Sequence, residues 1–257
     1  MILDGKVLSE QLAAELKTRA AGKNVHLAVI LVGNDPDSVK YVNAKRKRAL
    51  EIGISCDISA LPEDISEDEL VKIIDGFNAD AAVNGIMTQL PLPGHIDQDK
   101  ITRRIDPAKD VDGLNPRSDF MPATVRGIEK LLEHYLFGPG FDLDGKVAVV
   151  VGRSDVVGKP AANMLLSHEA TIIVCHEKTK DLAFFTRLAD ILVVAVGKPG
   201  LITADCVKDG AVIIDVGTDG DVAKECYAKA SAYTPVPGGV GPMTVVSLIE
   251  NTIRNAE

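Results

Sequence analysis

The sequence lacks the features that mark membrane, secreted and disulfide-stapled proteins. No apolar run approaches the roughly 18 residues of a membrane span, and the N-terminal segment carries Asp4 and has no apolar signal region. The four cysteines lie far apart and form no Cys-x-x-Cys pair, which disfavours a disulfide framework or a zinc site. We therefore expect a cytoplasmic protein with no membrane partner and no bound metal.

An excess of positive charge is also missing. The chain has 28 Lys and Arg against 37 Asp and Glu, for a formal net charge of -9. This balance argues against nucleic acid as the main partner. We find no internal repeat and no low-complexity segment, and a length of 257 residues suggests one large or two ordinary domains.

Strand-like and helix-like patterns alternate along the chain, which predicts an α/β protein with parallel sheets. The predicted helices are residues 6–21, 36–52, 66–77, 125–137, 157–168 and the segment from Pro242 to the end. The predicted strands are VHLAVILVG, ISCDISALP, AAVNGIMTQ, KVAVVVG, TIIVC, ILVVAVG and AVIIDVG. Between the two series lies KDVDGLNPRSDFMPAT, which is poor in strand formers. We predict a catalytic domain of residues 1–120, joined by the C-terminal helix 242–257, and a Rossmann-like dinucleotide-binding domain of residues 121–241.

A glycine-containing turn between a strand and a helix indicates a nucleotide site. In VVVGRSDVVGKP, Gly152 permits a tight turn and Gly158 permits close packing at the start of a helix, where backbone N–H groups can hold a pyrophosphate. The spacing is Gly-x5-Gly, not Gly-x-Gly-x-x-Gly, and an ordinary turn accounts for it equally well. Gly197 and Gly217 end two later strands, which favours the nucleotide interpretation because nucleotides sit at that edge of such sheets.

The residues after the next strand give conflicting indications about the cofactor. Glu177 follows Gly152 by about 25 residues, close to the spacing of a carboxylate that binds a ribose 2′-hydroxyl, which favours NAD. Arg153 and Lys178 favour a 2′-phosphate and therefore NADP. A third interpretation, that all three are solvated surface charges, stays open.

Three polar segments suggest a second, catalytic set. Tyr41 and Lys45 are four residues apart on a predicted helix and share a face. Gln89 begins a stiff Gln-Leu-Pro-Leu-Pro loop, and the segment 109–113 places two carboxylates around a turn. A lysine, an amide and a carboxylate at strand and helix ends form a plausible catalytic set, although the basic stretch 40–48 would also suit a solvated cationic helix.

Seven motifs appear in order across nearly the whole chain: YVNAKRKRALEIGI, GIMTQLPLP, KDVDGLNP, VVGRSDVVGKP, VAVGKPG, IIDVG and TPVPGGVGPMT. Together they closely resemble the methylenetetrahydrofolate dehydrogenase/cyclohydrolase family. The resemblance implies two α/β domains that face one another across a cleft. It also implies a homodimer and a bifunctional enzyme that oxidises methylenetetrahydrofolate and then hydrolyses the methenyl product to 10-formyltetrahydrofolate.

The resemblance also implies roles for particular residues. Tyr41, Lys45, Gln89 and Asp112 match its catalytic positions, and Tyr41 and Asp112 are expected to bind the folate as well. The loop Pro237, Gly238 and Gly239 is expected to close over the substrate. Gly152, Arg153, Ser154 and Thr218 match cofactor-contacting positions. With the residues discussed above, the predicted cofactor set is Gly152, Arg153, Ser154, Gly158, Glu177, Gly197 and Thr218.

Three departures from the family pattern stand out. Pro122-Ala-Thr-Val125 replaces the usual Pro-Cys-Thr-Pro, so a thiol role is absent. The segments 117–122 and 217–221 are shorter than usual. Glu177 stands where the family often has serine or a basic residue near the 2′-phosphate, which counts against NADP. Arg153 and Lys178 can offset its charge, so we expect NADP as the cofactor, with NAD as a usable second one.

Three other functions are alternatives. A monofunctional NAD-dependent dehydrogenase would have lost the cyclohydrolase step, but the presence of Lys45, Gln89 and Asp112 argues against that loss. A nucleotide-responsive binding protein without catalysis would keep the fold alone. A nucleic-acid role for the Lys-Arg-Lys-Arg run is the weakest interpretation, because the rest of the chain is acidic.

Overall fold

The computed structural model describes all 257 residues, and they form two compact units. The five-stranded unit comprises Met1–Ser9 and Thr124–Thr244, and the three-stranded unit comprises Glu10–Ala123 and Val245–Glu257. The first nine residues therefore belong with the second sheet, whereas the predicted bounds placed them in the N-terminal domain. The physical reason is backbone pairing, because the N–H of Leu3 donates to the carbonyl of Tyr233 at 2.8 Å.

The three-stranded unit is built on a parallel sheet in the order β2-β1-β3. Its elements are α1 (Gly5–Ala20, which begins in the other unit), β1 (His26–Val32), α2 (Pro36–Ile52), β2 (Ser55–Leu61), α3 (Glu67–Ala79), β3 (Gly85–Thr88), α4 (Gln98–Arg104) and the end of α8 (Val240–Arg254). On one face of the sheet, Ile30 and Ile86 pack against Leu70, Ile74 and Ile101 of α3 and α4.

Local capping fixes the helices that carry the site. Asp35 caps α2 by accepting from the N–H of Ser38, and Gly53 ends α2 in the left-handed conformation. A capping box formed by Ser66 and Glu69 begins α3. Helix α4 was not predicted, because its seven residues are too few to show a helical period.

The five-stranded unit has a parallel sheet in the order β5-β4-β6-β7-β8. Its elements are α5 (Ala123–Leu132), a π-helical turn (Glu133–Phe137), β4 (Val147–Val151), α6 (Gly158–Ser167), β5 (Thr171–Cys175), α7 (Leu182–Thr186), β6 (Ile191–Val194), β7 (Val212–Asp215) and β8 (Ala232–Tyr233). The central strands are almost wholly apolar and rich in Val and Ile, as expected where both faces of a parallel sheet are covered.

The predicted α/β class and all seven predicted strands are confirmed. Differences are confined to short elements and ends. Helix α8 begins at Val240, two residues before the predicted start at Pro242, and α7 and β8 were not predicted. None of the helices is both long enough and apolar enough to cross a bilayer.

Candidate active site

Lys45 and Gln89 meet in the three-stranded unit. Helix α2 carries Lys45, and Gln89 directly follows β3. The Nζ of Lys45 donates to Oε1 of Gln89 at 3.0 Å. The amide oxygen therefore fixes the position of the amine.

The surroundings of Lys45 shift its protonation. Lys45 and Asp112 are both half-buried. Burial lowers the pKa of Lys45, and the nearby charge of Asp112 acts in the opposite direction. Burial also raises the pKa of Asp112, partly offset by the charge of Lys45. A lysine with a lowered pKa is neutral more often near physiological pH, so it can accept a proton.

Gln89 is itself fixed by backbone contacts. Its N–H donates to the carbonyl of Ile30 in β1 at 2.8 Å, which continues the sheet by one residue beyond β3. Its side-chain Nε2 donates to the carbonyl of Leu90 at 2.7 Å. This second bond identifies Nε2 as the donor end of the amide and leaves Oε1 to face Lys45.

The turn Lys109–Gly113 is anchored at every residue, and it carries Asp112. Lys109 Nζ donates to three carbonyls at the end of α3, those of Phe77, Asn78 and Asp80. The carbonyl of Val111 accepts from Asn251 Nδ2 of α8 at 2.9 Å, and that of Asp112 accepts from the N–H of Ala123 at 3.1 Å. Gly113 has φ +72°, and a Cβ there would overlap the backbone of Met121.

Asp110 is a buried carboxylate beside Asp112. Its side chain accepts from the N–H of Asn115 at 2.6 Å, and only 1% of the residue is exposed. Burial, together with the charge of Asp112, raises the pKa of Asp110 to about 7. Sequence reasoning noted both carboxylates of this turn but selected only Asp112, since spacing does not show which of the two is enclosed.

Tyr41 lies one helical turn before Lys45 on α2, and 40% of its surface is exposed. An exposed aromatic ring beside a polar site is available to stack on a flat ligand. The basic stretch around it is partly neutralised, because Arg48 pairs with Glu10 and with Glu51.

In the five-stranded unit, the predicted nucleotide turn lies where the strand order reverses. Strand β4 is flanked by β5 and β6, so the crevice beyond its carboxyl end is the place where such sheets bind ligands. Gly152, at φ +124°, follows β4, and a Cβ there would overlap the carbonyl of Ala195 after β6. A Cβ at Gly158 would likewise overlap the carbonyl of Gly152. Both glycines are therefore required for this close approach of backbone.

The polar residues of this turn bind one another. The hydroxyl of Ser154 accepts from the N–H groups of Val157 and Gly158 at the start of α6. Arg153 and Glu177, which gave opposite indications about the cofactor, form an exposed ion pair with Nη2 and Oε1 2.5 Å apart. Glu177 therefore competes with any phosphate for the guanidinium of Arg153.

Two buried carboxylates organise the loops that follow β6 and β7. Asp221 Oδ2 accepts from the N–H groups of Val196 and Gly197 at 2.7 and 2.9 Å. Asp215 accepts from the N–H groups of Gly217, Asp221 and Val222, and burial raises its pKa.

The loops that Asp215 and Asp221 organise carry two of the predicted cofactor residues, Gly197 and Thr218. The N–H of Gly197 is already bonded to Asp221, so Gly197 acts through its conformation, at φ +73°. Thr218 is exposed on the short turn that follows. Neither Asp215 nor Asp221 was selected from the sequence, although Asp215 lies within the motif IIDVG and Asp221 ends the shortened segment 217–221.

Pro237, Gly238 and Gly239 lie in the five-stranded unit, on the loop between β8 and α8. Gly238 has φ +110°, and a Cβ at Gly239 would come within 3.0 Å of the carbonyl of Pro235. No group of three or more His, Cys, Asp or Glu side chains is placed to hold a metal ion. The roles of all these residues in binding and catalysis stay predictions.

The fold and these residues define a class: an α/β protein with a dinucleotide-type parallel sheet in one unit and a lysine–amide–carboxylate set in the other. Comparison with known proteins identifies the family. The catalytic-domain profile of the tetrahydrofolate dehydrogenase/cyclohydrolase family matches residues 3–112, and its NAD(P)-binding-domain profile matches residues 122–257. The chain belongs to this family, which confirms the resemblance seen in the sequence.

Similar proteins cover the chain almost completely. The bifunctional protein FolD of Agathobacter rectalis is 48% identical over 98% of both chains. The bifunctional FolD methylenetetrahydrofolate dehydrogenase/cyclohydrolase of Campylobacter jejuni has a crystal structure that is 44% identical and matches with a TM-score of 0.94 over 100% of this chain and 98% of that one. The Trypanosoma brucei enzyme, crystallised with NADP and an inhibitor, is 33% identical with a TM-score of 0.93, over 99% of this chain and 96% of that one.

Proposed function

We propose that the chain oxidises methylenetetrahydrofolate with NADP and hydrolyses the resulting methenyltetrahydrofolate to 10-formyltetrahydrofolate. The observation that carries the proposal is the hydrogen bond of 3.0 Å between Lys45 and Gln89, with the pKa of the lysine lowered by burial. Removal of hydride leaves a resonance-stabilised cation, so oxidation needs positioning more than proton transfer. A tuned lysine is needed for the second reaction, and it supports the bifunctional assignment over a dehydrogenase alone.

The hydrolytic step follows from the properties of Lys45. As water adds to the cationic methenyl carbon, a C–O bond forms and the water must lose a proton. Neutral Lys45 can accept that proton while Gln89 fixes the position of its Nζ. When the C–N bond to the ring nitrogen breaks, that nitrogen takes the proton back from Lys45. The remaining hydroxyl proton of the adduct is released to solvent as the C=O forms, and the formyl group stays on the other nitrogen.

Asp112 suits the task of orienting the folate. The pterin ring presents N–H donors, which a half-buried carboxylate can accept. The five anchors of the turn 109–113 hold that carboxylate in place before substrate arrives, and preorganised groups lose less on binding. Tyr41, exposed one turn from Lys45, would cover the flat ring system.

The five-stranded unit fits a dinucleotide. The close backbone approach at Gly152 and Gly158 packs the start of α6 against the end of β4, which is a packing role that glycines have in dinucleotide-binding turns. When bound, NADP supplies the acceptor for the hydride. Arg153 would hold the 2′-phosphate, and the loops fixed by Asp215 and Asp221 would border the cofactor.

Cofactor preference depends on the pair formed by Arg153 and Glu177. A 2′-phosphate must displace Glu177 from Arg153, whereas the diol of NAD can be accepted by Glu177 itself. Lys178, the next residue in the chain, is exposed and adds positive charge. NADP is therefore the preferred cofactor in this proposal, with NAD as a weaker second.

The proposal includes a homodimer in the cytoplasm. Strand β5 is an edge of the five-stranded sheet, and Val174 on it is 41% exposed. An open edge strand with an exposed apolar residue is suited to pairing with another chain. Light scattering of the purified chain at several concentrations tests this, and a monomer throughout would contradict it.

The experiment that tests the function follows both reactions on one sample. Methylenetetrahydrofolate and NADP are added, the near-ultraviolet absorbance of reduced nicotinamide reports oxidation, and hydrolysis is measured separately from added methenyltetrahydrofolate. Both signals are expected, and oxidation is expected to be slower with NAD. Oxidation without hydrolysis would indicate a monofunctional dehydrogenase, and dinucleotide binding without either signal would indicate a binding protein.

A further inference from the structure

The N-terminal segment runs beside the end of β8 and extends that edge of the five-stranded sheet. Ile2 forms a parallel bridge with Tyr233. The N–H of Tyr233 donates to the carbonyl of Met1 at 3.0 Å, and the N–H of Leu3 donates to the carbonyl of Tyr233 at 2.8 Å. Leu3 is fully buried. The segment is therefore an integral part of this unit.

The same segment continues along the loop between β8 and α8. The N–H of Lys6 donates to the carbonyl of Gly238 at 2.9 Å. Gly5 packs against the backbone of Gly239 so closely that a Cβ at Gly5 would overlap its carbonyl oxygen. Gly5 does not have a positive φ, so lack of space, not backbone conformation, excludes a side chain there.

The start of the loop is fixed to the sheet as well. The hydroxyl of Thr234 accepts from the N–H of Asp215 at 2.8 Å, which ties the loop to β7. Asp4, which precedes Gly5, is held by Tyr135, whose hydroxyl donates to the carbonyl of Asp4 at 2.9 Å. Lys6 thus hydrogen-bonds to Gly238, and Gly5 packs against Gly239. Gly238 and Gly239 are two of the three loop residues expected to face the folate.

We infer that Gly5 and Lys6 are positioning residues for folate binding. Gly5 through its packing on Gly239, and Lys6 through its N–H bonded to Gly238, hold the loop 237–239 in place for the folate. This inference rests on the proposed function, because it takes the loop 237–239 as part of the folate site. A residue that supports a substrate-contacting loop changes the use of that substrate without touching it. A displacement of about 1 Å is enough to cost roughly 100-fold in such a site.

A purely structural role gives a different result. The loop and the dinucleotide turn belong to the same compact unit. If the segment merely holds that unit together, its disruption weakens dinucleotide binding along with folate use. If it positions the loop, folate use falls and dinucleotide binding does not.

The test uses two substitutions that disturb the contact in different ways. Gly5→Ala adds the excluded Cβ, and Lys6→Pro removes the N–H that donates to Gly238. Lys6 lies in the first turn of α1, where proline is tolerated and its N–H is not needed by the helix. Matched controls are Gly76→Ala, where a Cβ meets nothing within 4 Å, and Asp68→Pro, at the equivalent second position of α3.

Each variant is assayed for the folate KM of both reactions, for the Kd of NADP by calorimetry and for Tm. Gly5→Ala and Lys6→Pro are expected to raise the folate KM roughly 10- to 100-fold, with the Kd of NADP within about twofold of wild type, and the controls are expected to match wild type. An unchanged folate KM in both variants overturns the inference. A parallel loss of NADP binding, or failure of both variants to fold, overturns it as well, because the segment is then a general support.

The two proposals fail in distinguishable ways. If the wild-type chain catalyses neither folate reaction, the proposed function itself is refuted. If the wild type catalyses both reactions and the two variants have the same folate KM as the wild type, the proposed function stands and the positioning role is refuted.

Discussion

The Nζ of Lys45 on α2 and Oε1 of Gln89 after β3 are joined by a hydrogen bond of 3.0 Å. The two residues are 44 positions apart in the chain and are brought together by the parallel pairing of β1 with β3. This bond connects the fold of the three-stranded unit to the proposed chemistry, and several predictions depend on it.

Lys45→Met should abolish hydrolysis and spare dinucleotide binding. The substitution keeps most of the length of the side chain and removes the amine that accepts the proton, so hydrolysis of methenyltetrahydrofolate should fall by about 10²–10⁴-fold. The Kd of NADP should not change. Lys47→Met is the control on the same helix, since Lys47 is exposed. Hydrolysis at a near wild-type rate in Lys45→Met would refute the role of Lys45.

The pH profile of hydrolysis should report the lowered pKa of Lys45. Because the neutral amine is the active form, kcat should rise with pH through that pKa, at a midpoint below the ordinary 10.5 of a lysine. The negative charge of Asp112 raises this pKa, so Asp112→Asn should move the midpoint to lower pH. The measurement is kcat for methenyltetrahydrofolate against pH after subtraction of the uncatalysed rate. A midpoint that stays in place or rises in Asp112→Asn would show that Lys45 is not the titrating group.

Asp112→Asn should also weaken folate use far more than dinucleotide use. A hydrogen bond to a charged group contributes about 1.5–3 kcal/mol, which corresponds to roughly 10- to 100-fold in affinity. The folate KM of both reactions and the Kd of NADP are the quantities to compare. Asp106→Asn, in the exposed turn before Lys109, is the control. Unchanged folate constants in Asp112→Asn would leave Asp112 as a turn residue only.

Glu177→Ser should raise the affinity for NADP by about tenfold or less and leave the affinity for NAD nearly unchanged. Glu177 occupies the guanidinium of Arg153, and both side chains are more than half exposed, so solvent screening keeps the gain small. Titration of both dinucleotides by calorimetry measures the two constants, with Glu225→Ser as a surface control. If NAD binding instead weakens strongly and NADP gains nothing, Glu177 is a ribose ligand and the enzyme depends on NAD.

Much of this architecture could be predicted from the sequence because its signals are local. The buried strands are apolar runs of Val and Ile, and the capping box at Ser66 and Glu69 forms within four residues. The helix α7 and the strand β8 escaped prediction because five and two residues carry no recognisable period.

The candidate site was predictable only in part, for a different reason. Lys45 and Gln89 stood out through their motifs, but the anchoring of Asp112 depends on Lys109 reaching the end of α3 and Asn251 reaching from α8. The two residues of each contact are 29 and 140 positions apart in the chain, and no sequence pattern predicts such contacts. Likewise, the sequence indicates that Arg153 favours NADP and Glu177 favours NAD, but no sequence pattern shows that the two side chains form an ion pair.

Each compact unit is assembled from two separate stretches of the chain. This division determines which unit can be completed first during synthesis on the ribosome. The three-stranded unit needs Val245–Glu257, which is made after every residue of the five-stranded unit. Until that stretch emerges, the turn around Asp112 lacks the amide of Asn251. All the residues of the five-stranded unit have by then been made, so a nascent chain can complete its dinucleotide half before its folate half. A chain truncated after Thr244 is therefore expected to bind NADP but to lack the anchor that Asn251 gives to the turn around Asp112.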